Sequence, residues 1–271
     1  MHLILAGVGI LVAALLSSLA LGVSWWWGLA FAVTAHLILM LGLLHPSPSF
    51  ICRTMTCGPG GEVKSTALTF DDGPDPQVTP RVLRILQEKR VRATFFCIGR
   101  HARLYPQLVR AIVEAGHEIG NHSYSHPRHI YAWSARALLA DTRLAQRAIR
   151  RACDREPIWY RPPIGFRNLL MSRVLKTCGL SLVNFTFRTF DTRATSAEKI
   201  VRRVLSRTVP GAIIVLHDGT DRQTQPDRSA LLAALPVLID RLREQGYQFC
   251  LVSDLLAPRP LAVPESAPAP S

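Results

Sequence analysis

Ala67-Leu68-Thr69-Phe70-Asp71-Asp72-Gly73-Pro74 is the stretch on which the fold turns. A short run of apolar and β-favouring residues reads as a strand buried on both faces, and Gly73-Pro74 marks its end. Two carboxylates stand where the strand stops. The same arrangement recurs downstream, with strand-like runs at Ala93–Ile98, His117–Gly120, Ile158–Tyr160, Leu180–Thr186, Ala212–Leu216 and Gln248–Val252. Helix-like runs separate them at Pro80–Lys89, Pro106–Ala115, Ser134–Ala152, Asn168–Cys178, Ala197–Arg207 and Ser229–Gln245. Strands alternating with helices predict an α/β fold, a parallel sheet covered by helices. Six or seven such units favour a closed or nearly closed barrel over an open doubly wound sheet.

Polar residues break the pattern at the strand ends. Asp71 and Asp72 follow the first strand, His122 the third, Arg161 the fourth, and His217-Asp218 the sixth, with Asp191 just past the fifth. The C-terminal ends of parallel strands are where such folds build active sites. His126 lies four residues after His122, in His122-Ser123-Tyr124-Ser125-His126. Two imidazoles and a carboxylate suit a catalytic divalent metal that keeps positions open for water and substrate. Such a metal acidifies water and polarises a carbonyl. Adjacent carboxylates on an extended backbone point apart, so one can bind metal while the other acts as base, kept ionised by a nearby Arg. An Asp-Asp-Gly-Pro run by itself is most often a turn. Its weight comes from the other polar groups at successive strand ends. His117 and His129 occupy no such arrangement and read as structural or surface residues. No Ser or Cys nucleophile stands out.

These motifs resemble the polysaccharide deacetylase family, the NodB-homology domain of carbohydrate-esterase type. The likeness is carried by Thr69-Phe70-Asp71-Asp72-Gly73, His122-Ser123-Tyr124-Ser125-His126, Arg161-Pro162-Pro163-Ile164-Gly165 and Leu216-His217-Asp218. It covers about residues 64–252. Gly116–Asn121 and Ala93–Phe96 are similar to the family's connecting text. The resemblance implies a distorted (β/α) barrel and a bound metal, usually Zn2+. It implies Asp72, His122 and His126 as ligands, Asp71 as general base, Arg161 as its orienter and His217 as general acid. Asp191 would pair with His217. The backbone N–H near Ile164, between Pro163 and Gly165, would help hold the oxyanion. Water would attack an amide carbonyl, Asp71 would take its proton, and His217 would protonate the departing amine. Two departures stand out: Ile164 occupies a position that is often aromatic, and Phe190-Asp191-Thr192-Arg193-Ala194 lacks the further Asp and the Trp usual after the motif's first Asp.

The expected activity is hydrolytic deacetylation of N-acetylated amino sugars in a polysaccharide or oligosaccharide, such as peptidoglycan, chitooligosaccharide or an exopolysaccharide. Two alternatives are a deacylase or deformylase of lipid-linked amino sugars, and a catalytically silent glycan-binding protein. The silent reading has no use for a base, an orienter and an acid.

The 271 residues suffice for one sizeable domain and an extra element. Residues 1–52 contain no Lys, Arg, Asp or Glu. Leu3–Val23 and Trp25–Leu44 are each long enough to span a bilayer, and Trp25, Trp26 and Trp27 suit its interface. The expectation is an anchor of two transmembrane helices over 1–45, a linker over 46–63, the catalytic domain over 64–256 and a disordered Pro/Ala-rich tail over 257–271. The protein would sit at a bacterial inner (cytoplasmic) membrane. Arg53 and Lys64 favour a cytoplasmic domain, whereas an envelope glycan favours the outside. The net charge of +13 falls wholly beyond residue 52 and suits anionic lipid headgroups or an acidic polymer. Scattered arginines without an aromatic–basic motif argue against nucleic acid as a partner. Cys97, Cys178 and Cys250 read as core residues, and Cys52 and Cys57 are a possible pair in an oxidising compartment.

Overall fold

Strand β1 (Ser65–Asp71) is buried along nearly its whole length, as its apolar run requires. The structure is a computed structural model that describes residues 54–59, 63–193, 196–221 and 227–257, the helix α1 (Trp25–Leu44), and part of 9–24. All seven expected strands form: β1, β2 (Thr94–Cys97), β3 (Glu118–Asn121), β4 (Trp159–Tyr160), β5 (Ser181–Leu182), β6 (Ile213–His217) and β7 (Gln248–Phe249). They pair in parallel in the order β5-β4-β3-β2-β1-β6, and β7 joins the first residues of β1. The sheet curls until the chain after β5 meets β6 through a bridge between Phe187 and Ile214. The result is a half-barrel rather than a fully laddered barrel. Residues 54–59, in the stretch read as a linker, contribute pairings of their own, with Met55 opposite Val183 and Cys57 opposite Ala212.

The period-two pleat divides β1 between two environments. Leu68 and Phe70 join the large apolar cluster beneath the helices, while Ala67 joins the smaller one with Phe96, Trp159, Val183, Ile213, Val252 and Leu255. Thr69 and Asp71 share the face of Ala67. Each covering helix presents one apolar stripe. Helix α2 (Thr79–Glu88) buries Thr79, Val82 and Leu86, spaced by three and four residues. Next come α3 (Gly99–Leu104), α4 (Pro106–Glu114), α5 (Ala135–Cys153), α6 (Met171–Lys176), α7 (Ala197–Leu205), α8 (Ser229–Glu244) and α9 (Val252–Leu256). The short α3 and α9 were not legible as helices, because five or six residues show no full apolar period. Ser134 caps α5, its hydroxyl accepting the Ala137 N–H.

The expectation of two transmembrane helices is not supported. Among the described residues no helix is long and apolar enough to cross a membrane. The helix Trp25–Leu44 does form, over 20 residues, with its side chains described for 25–38. Most of Leu3–Val23, together with Cys52 and residues 258–271, lies outside the described residues. Cys97 is buried, Cys178 and Cys250 are half-buried, and Cys57 is a free, exposed thiol.

Candidate metal and catalytic site

Asp71 ends β1, and Asp72 then adopts a left-handed conformation, φ 71°. This corrects the expected extended backbone. It is the left-handed turn, not strand alternation, that swings the two carboxylates apart. Gly73 and Gly219 permit it, since a Cβ at Gly73 would strike the Asp218 carboxylate and one at Gly219 the Asp72 carbonyl. Asp218 is thus a packing residue. Its buried carboxyl accepts a hydrogen bond from Thr79 Oγ1 at 2.6 Å, and burial, with some help from Asp71 and Asp72, pushes its pKa up to about 7.

His122 and His126 lie on the loop after β3, with Ser123 and His126 also left-handed. Asn121 Oδ1 accepts the Ser123 N–H, and Ser123 Oγ accepts the His126 N–H. Asp141 on α5 accepts from the Tyr124 and Ser125 N–H groups and from the Ser125 hydroxyl. So braced, the loop brings His122 Nε2 to 3.4 Å and His126 Nε2 to 3.1 Å from Asp72 Oδ1. His122 Nδ1 donates to the Arg161 carbonyl at 2.8 Å, which leaves Nε2 as the free lone pair. Asp72 Oδ1 is buried and has no hydrogen-bond partner among the described residues. An acceptor so placed, facing two imidazole nitrogens, fits a cation. One ligand atom from each of Asp72, His122 and His126 lies within 4.8 Å of the others. Burial opposes charge on Asp72, yet the two imidazoles hold its carboxyl well below the usual range. Burial likewise opposes charge on His126, but Asp221 and Asp72 raise it to about 9.

Arg161, at the end of β4, is fully buried. Its Nη1 donates to Asp71 Oδ1 at 2.8 Å and to Thr69 Oγ1 at 2.7 Å. Its Nη2 donates to the Asn184 carbonyl at 3.1 Å, and the guanidinium lies 4.0 Å from the Phe96 ring centroid. The second oxygen of Asp71 remains on the cleft side, 4.0 Å from His122 Nε2. At the end of β6, His217 pairs through Nδ1 with Asp191 Oδ1 at 2.8 Å. Burial disfavours its charge, but Asp191, and to a lesser degree Asp72 and Asp71, raise it to about 9. For Asp191, burial is outweighed by His217 and Thr189, and its carboxyl is lowered. Ile164 adopts φ 60° and Gly165 φ 76°, the carbonyl of Ile164 held by Arg188 Nη2 at 2.9 Å and that of Gly165 by Asn184 Nδ2 at 3.1 Å. Pro163 is buried beneath them.

Asp71, Asp72, His122, His126, Ile164 and His217 all line one cleft of about 550 Å3. Asp191 and Arg161 back it. Sequence reasoning missed Asp141, although a lone carboxylate on the buried face of an Arg-rich helix was a usable signal. It also missed Asp221, Arg188 and Arg193, which stand in loop text without periodicity. His117 is buried and accepts the Ala93 N–H at 3.2 Å, a structural role, and His129 packs on Trp133.

A family model described as "Polysaccharide deacetylase" matches residues 59–183. The chain is 37% identical over 196 residues to a peptidoglycan-N-acetylglucosamine deacetylase of Bacillus cereus, covering 71% of this chain and 88% of that one. It is 39% identical over 194 residues to a chitooligosaccharide deacetylase of Sinorhizobium fredii, covering 69% and 90%. Among solved structures, a peptidoglycan N-acetylglucosamine deacetylase in complex with 4-naphthalen-1-yl-N-oxidanyl-benzamide superposes with a TM-score of 0.70 at 29% identity, over 75% of this chain and 92% of the other. A pseudoenzyme of the same esterase family from Bacillus anthracis superposes at 0.66 with 28% identity, over 74% and 68%. The motif resemblance, the curled parallel sheet and relatives matched over most of their own length agree, and the chain belongs to the polysaccharide deacetylase family of hydrolases.

Proposed function

We propose that this protein is a metal-dependent deacetylase of N-acetylated amino sugars in a glycan, anchored to a membrane through residues 1–52. The observation that carries the reading is one cleft holding a cation-ready triad (Asp72, His122, His126), a carboxylate oriented by a buried Arg, and an imidazole backed by a carboxylate. The triad would hold a divalent ion, Zn2+ by its nitrogen and carboxylate donors, which supplies positive charge to polarise the amide carbonyl and acidify water.

The chain's own groups do the rest. Arg161 fixes Asp71 Oδ1, so Asp71 Oδ2 is the atom free to take a proton from water. His217 Nδ1 is bound to Asp191, so Nε2 is the nitrogen that delivers a proton to the departing amine. A pKa near 9 keeps that proton in place at neutral pH. The left-handed turn at Ile164 places a peptide unit at the cleft wall, where its N–H can stabilise the oxyanion. Both Asp71 and His217 are present, which argues against a silent glycan binder.

Lipid-linked amino sugars are a second substrate reading, favoured by the charge-free first 52 residues. The test is acetate release from N-acetylglucosamine oligomers and from a lipid-linked N-acetylated sugar, with metal content measured on the same sample. About one equivalent of metal, and loss of acetate release on chelation with recovery on readdition, is the expected result. Full turnover by exhaustively demetallated protein would overturn it.

A further inference from the structure

The carboxylates inside the cleft have cationic partners. Asp71 has Arg161, Asp191 has His217, and Asp221 has Arg128 and His126. Asp72 faces the two histidines, and Asp227 lies beside Arg228, which lowers its carboxyl further after the Ser229 contacts. Among the described residues three guanidiniums on the cleft wall, those of Arg188, Arg193 and Arg228, form no ion pair with a carboxylate, and of these Arg228 is buried with its Nη2 on the Gly219 carbonyl, which leaves Arg188 and Arg193 towards the cleft.

Arg188 is half-buried and donates to the Ile164 carbonyl, with the Phe185 ring centroid 5.4 Å away. Arg193 is exposed and ends the short helical turn Asp191–Arg193 that also supplies the partner of His217. Arg188 and Arg193 line the same cleft, and burial first, then the charge of Arg193, lower the pKa of Arg188. A half-buried guanidinium that shares a cleft with a second one, and that bonds among the described residues to a carbonyl rather than a carboxylate, is stabilised when an anion enters that cleft. The ion held by Asp72, His122 and His126 would make the cleft still more positive. A neutral chitin-like chain has no use for such a wall.

We propose that Arg188 and Arg193 form an anion subsite, which takes a carboxylate or phosphate carried by the substrate next to its N-acetylated sugar. This rests on the deacetylase reading and narrows its substrate class to charged glycans or glycan precursors. A lactyl or uronic carboxylate and a lipid-linked diphosphate offer the same chemistry. Arg188 also holds the Ile164 carbonyl at the cleft wall.

The test is calorimetric binding to the full chain carrying Asp71→Asn, so that substrate is not consumed. Three probes are compared: neutral chitotetraose, a tetramer alternating N-acetylglucosamine with N-acetylmuramic acid, and N-acetylglucosaminyl diphosphate polyprenol in detergent micelles. At least one anionic probe should bind tighter than chitotetraose, and which one does identifies the source of the charge. Adding Arg193→Glu should lower the anionic-to-neutral affinity ratio about tenfold, equivalent to about 1.4 kcal/mol. Arg193→Gln should lower it less, and added salt should shrink the difference. Matching melting temperatures, or the Gln variant should the Glu variant not fold, guard against a structural cause. A ratio near one in the parent, or a ratio unmoved by either variant, overturns the subsite. Acetate release by the unmutated chain is measured alongside. Deacetylation without charge preference sinks the subsite alone, and charge preference without deacetylation sinks the deacetylase reading alone.

Discussion

Asp191 grips His217 at two points. One carboxylate oxygen accepts the His217 backbone N–H at 2.9 Å and the other pairs with ring Nδ1 at 2.8 Å. The first bond fixes where the ring begins and the second fixes its tautomer, so Nε2 faces the cleft with its proton.

The pH dependence follows from that pair. Protonated His217 is the active acid, and its pKa is raised to about 9, so turnover should persist through neutral pH and fall as pH rises through about 9. Asp191→Asn removes the main raising influence. The alkaline limb should move towards the ordinary imidazole value, about 6.5. His217→Ala should cost about 10²–10⁴ in kcat. A pH–rate profile of both variants checks this, and an unmoved alkaline limb in Asp191→Asn would count against His217 as the acid. The raised pKa also carries stability that is complete below about 6.5 and fades as pH climbs towards about 9.

Neighbouring carboxylates should fail differently. Asp71→Asn keeps the triad of Asp72, His122 and His126 and should retain metal while losing turnover by about 10²–10⁴. Asp72→Asn should lose metal affinity first. Metal content measured beside activity separates them. Metal lost from Asp71→Asn but kept by Asp72→Asn would reverse the two roles.

Arg161 couples catalysis to stability. Arg161→Met leaves Asp71 buried without its counter-charge, and breaking a buried pair costs about 3–5 kcal/mol. Thermal melting should show a drop of several degrees together with lost activity. Arg161→Lys should regain some stability but little activity, since a single ammonium cannot reach Asp71, Thr69 and the Asn184 carbonyl at once. A full return of activity with Lys would mean that only charge matters there.

The residues before β1 contribute to the fold. Gly58 N–H donates to the Gly211 carbonyl at 2.8 Å, Thr186 Oγ1 to the Thr56 carbonyl at 2.6 Å, and Met55 pairs with Val183. A chain beginning at Thr54 should therefore melt higher than one beginning at Gly60, with turnover of small substrates in both. Equal melting temperatures would show that these pairings add nothing.

Strand positions, most helix positions and the identities of Asp71, Asp72, His122, His126, Arg161, Asp191 and His217 were readable in the sequence. Apolar periodicity reports burial directly, and a charged residue at the end of an apolar strand breaks it visibly. What the sequence could not supply was direction. The left-handed turns at Asp72, Ser123, His126 and Ile164 aim the ligands and shape the cleft wall, and the one at Asp72 depends on close packing of Gly73 and Gly219. Nor could it show how far the sheet curls, because closure rests on a bridge between Phe187 and Ile214, far apart in sequence. Asp141, Asp221, Arg188 and Arg193 entered the site only through tertiary contacts. Residue type and local period determined which chemistry was available to this protein, and long-range packing decided where each atom points, since backbone dihedrals in loops answer to neighbours that the local text does not contain.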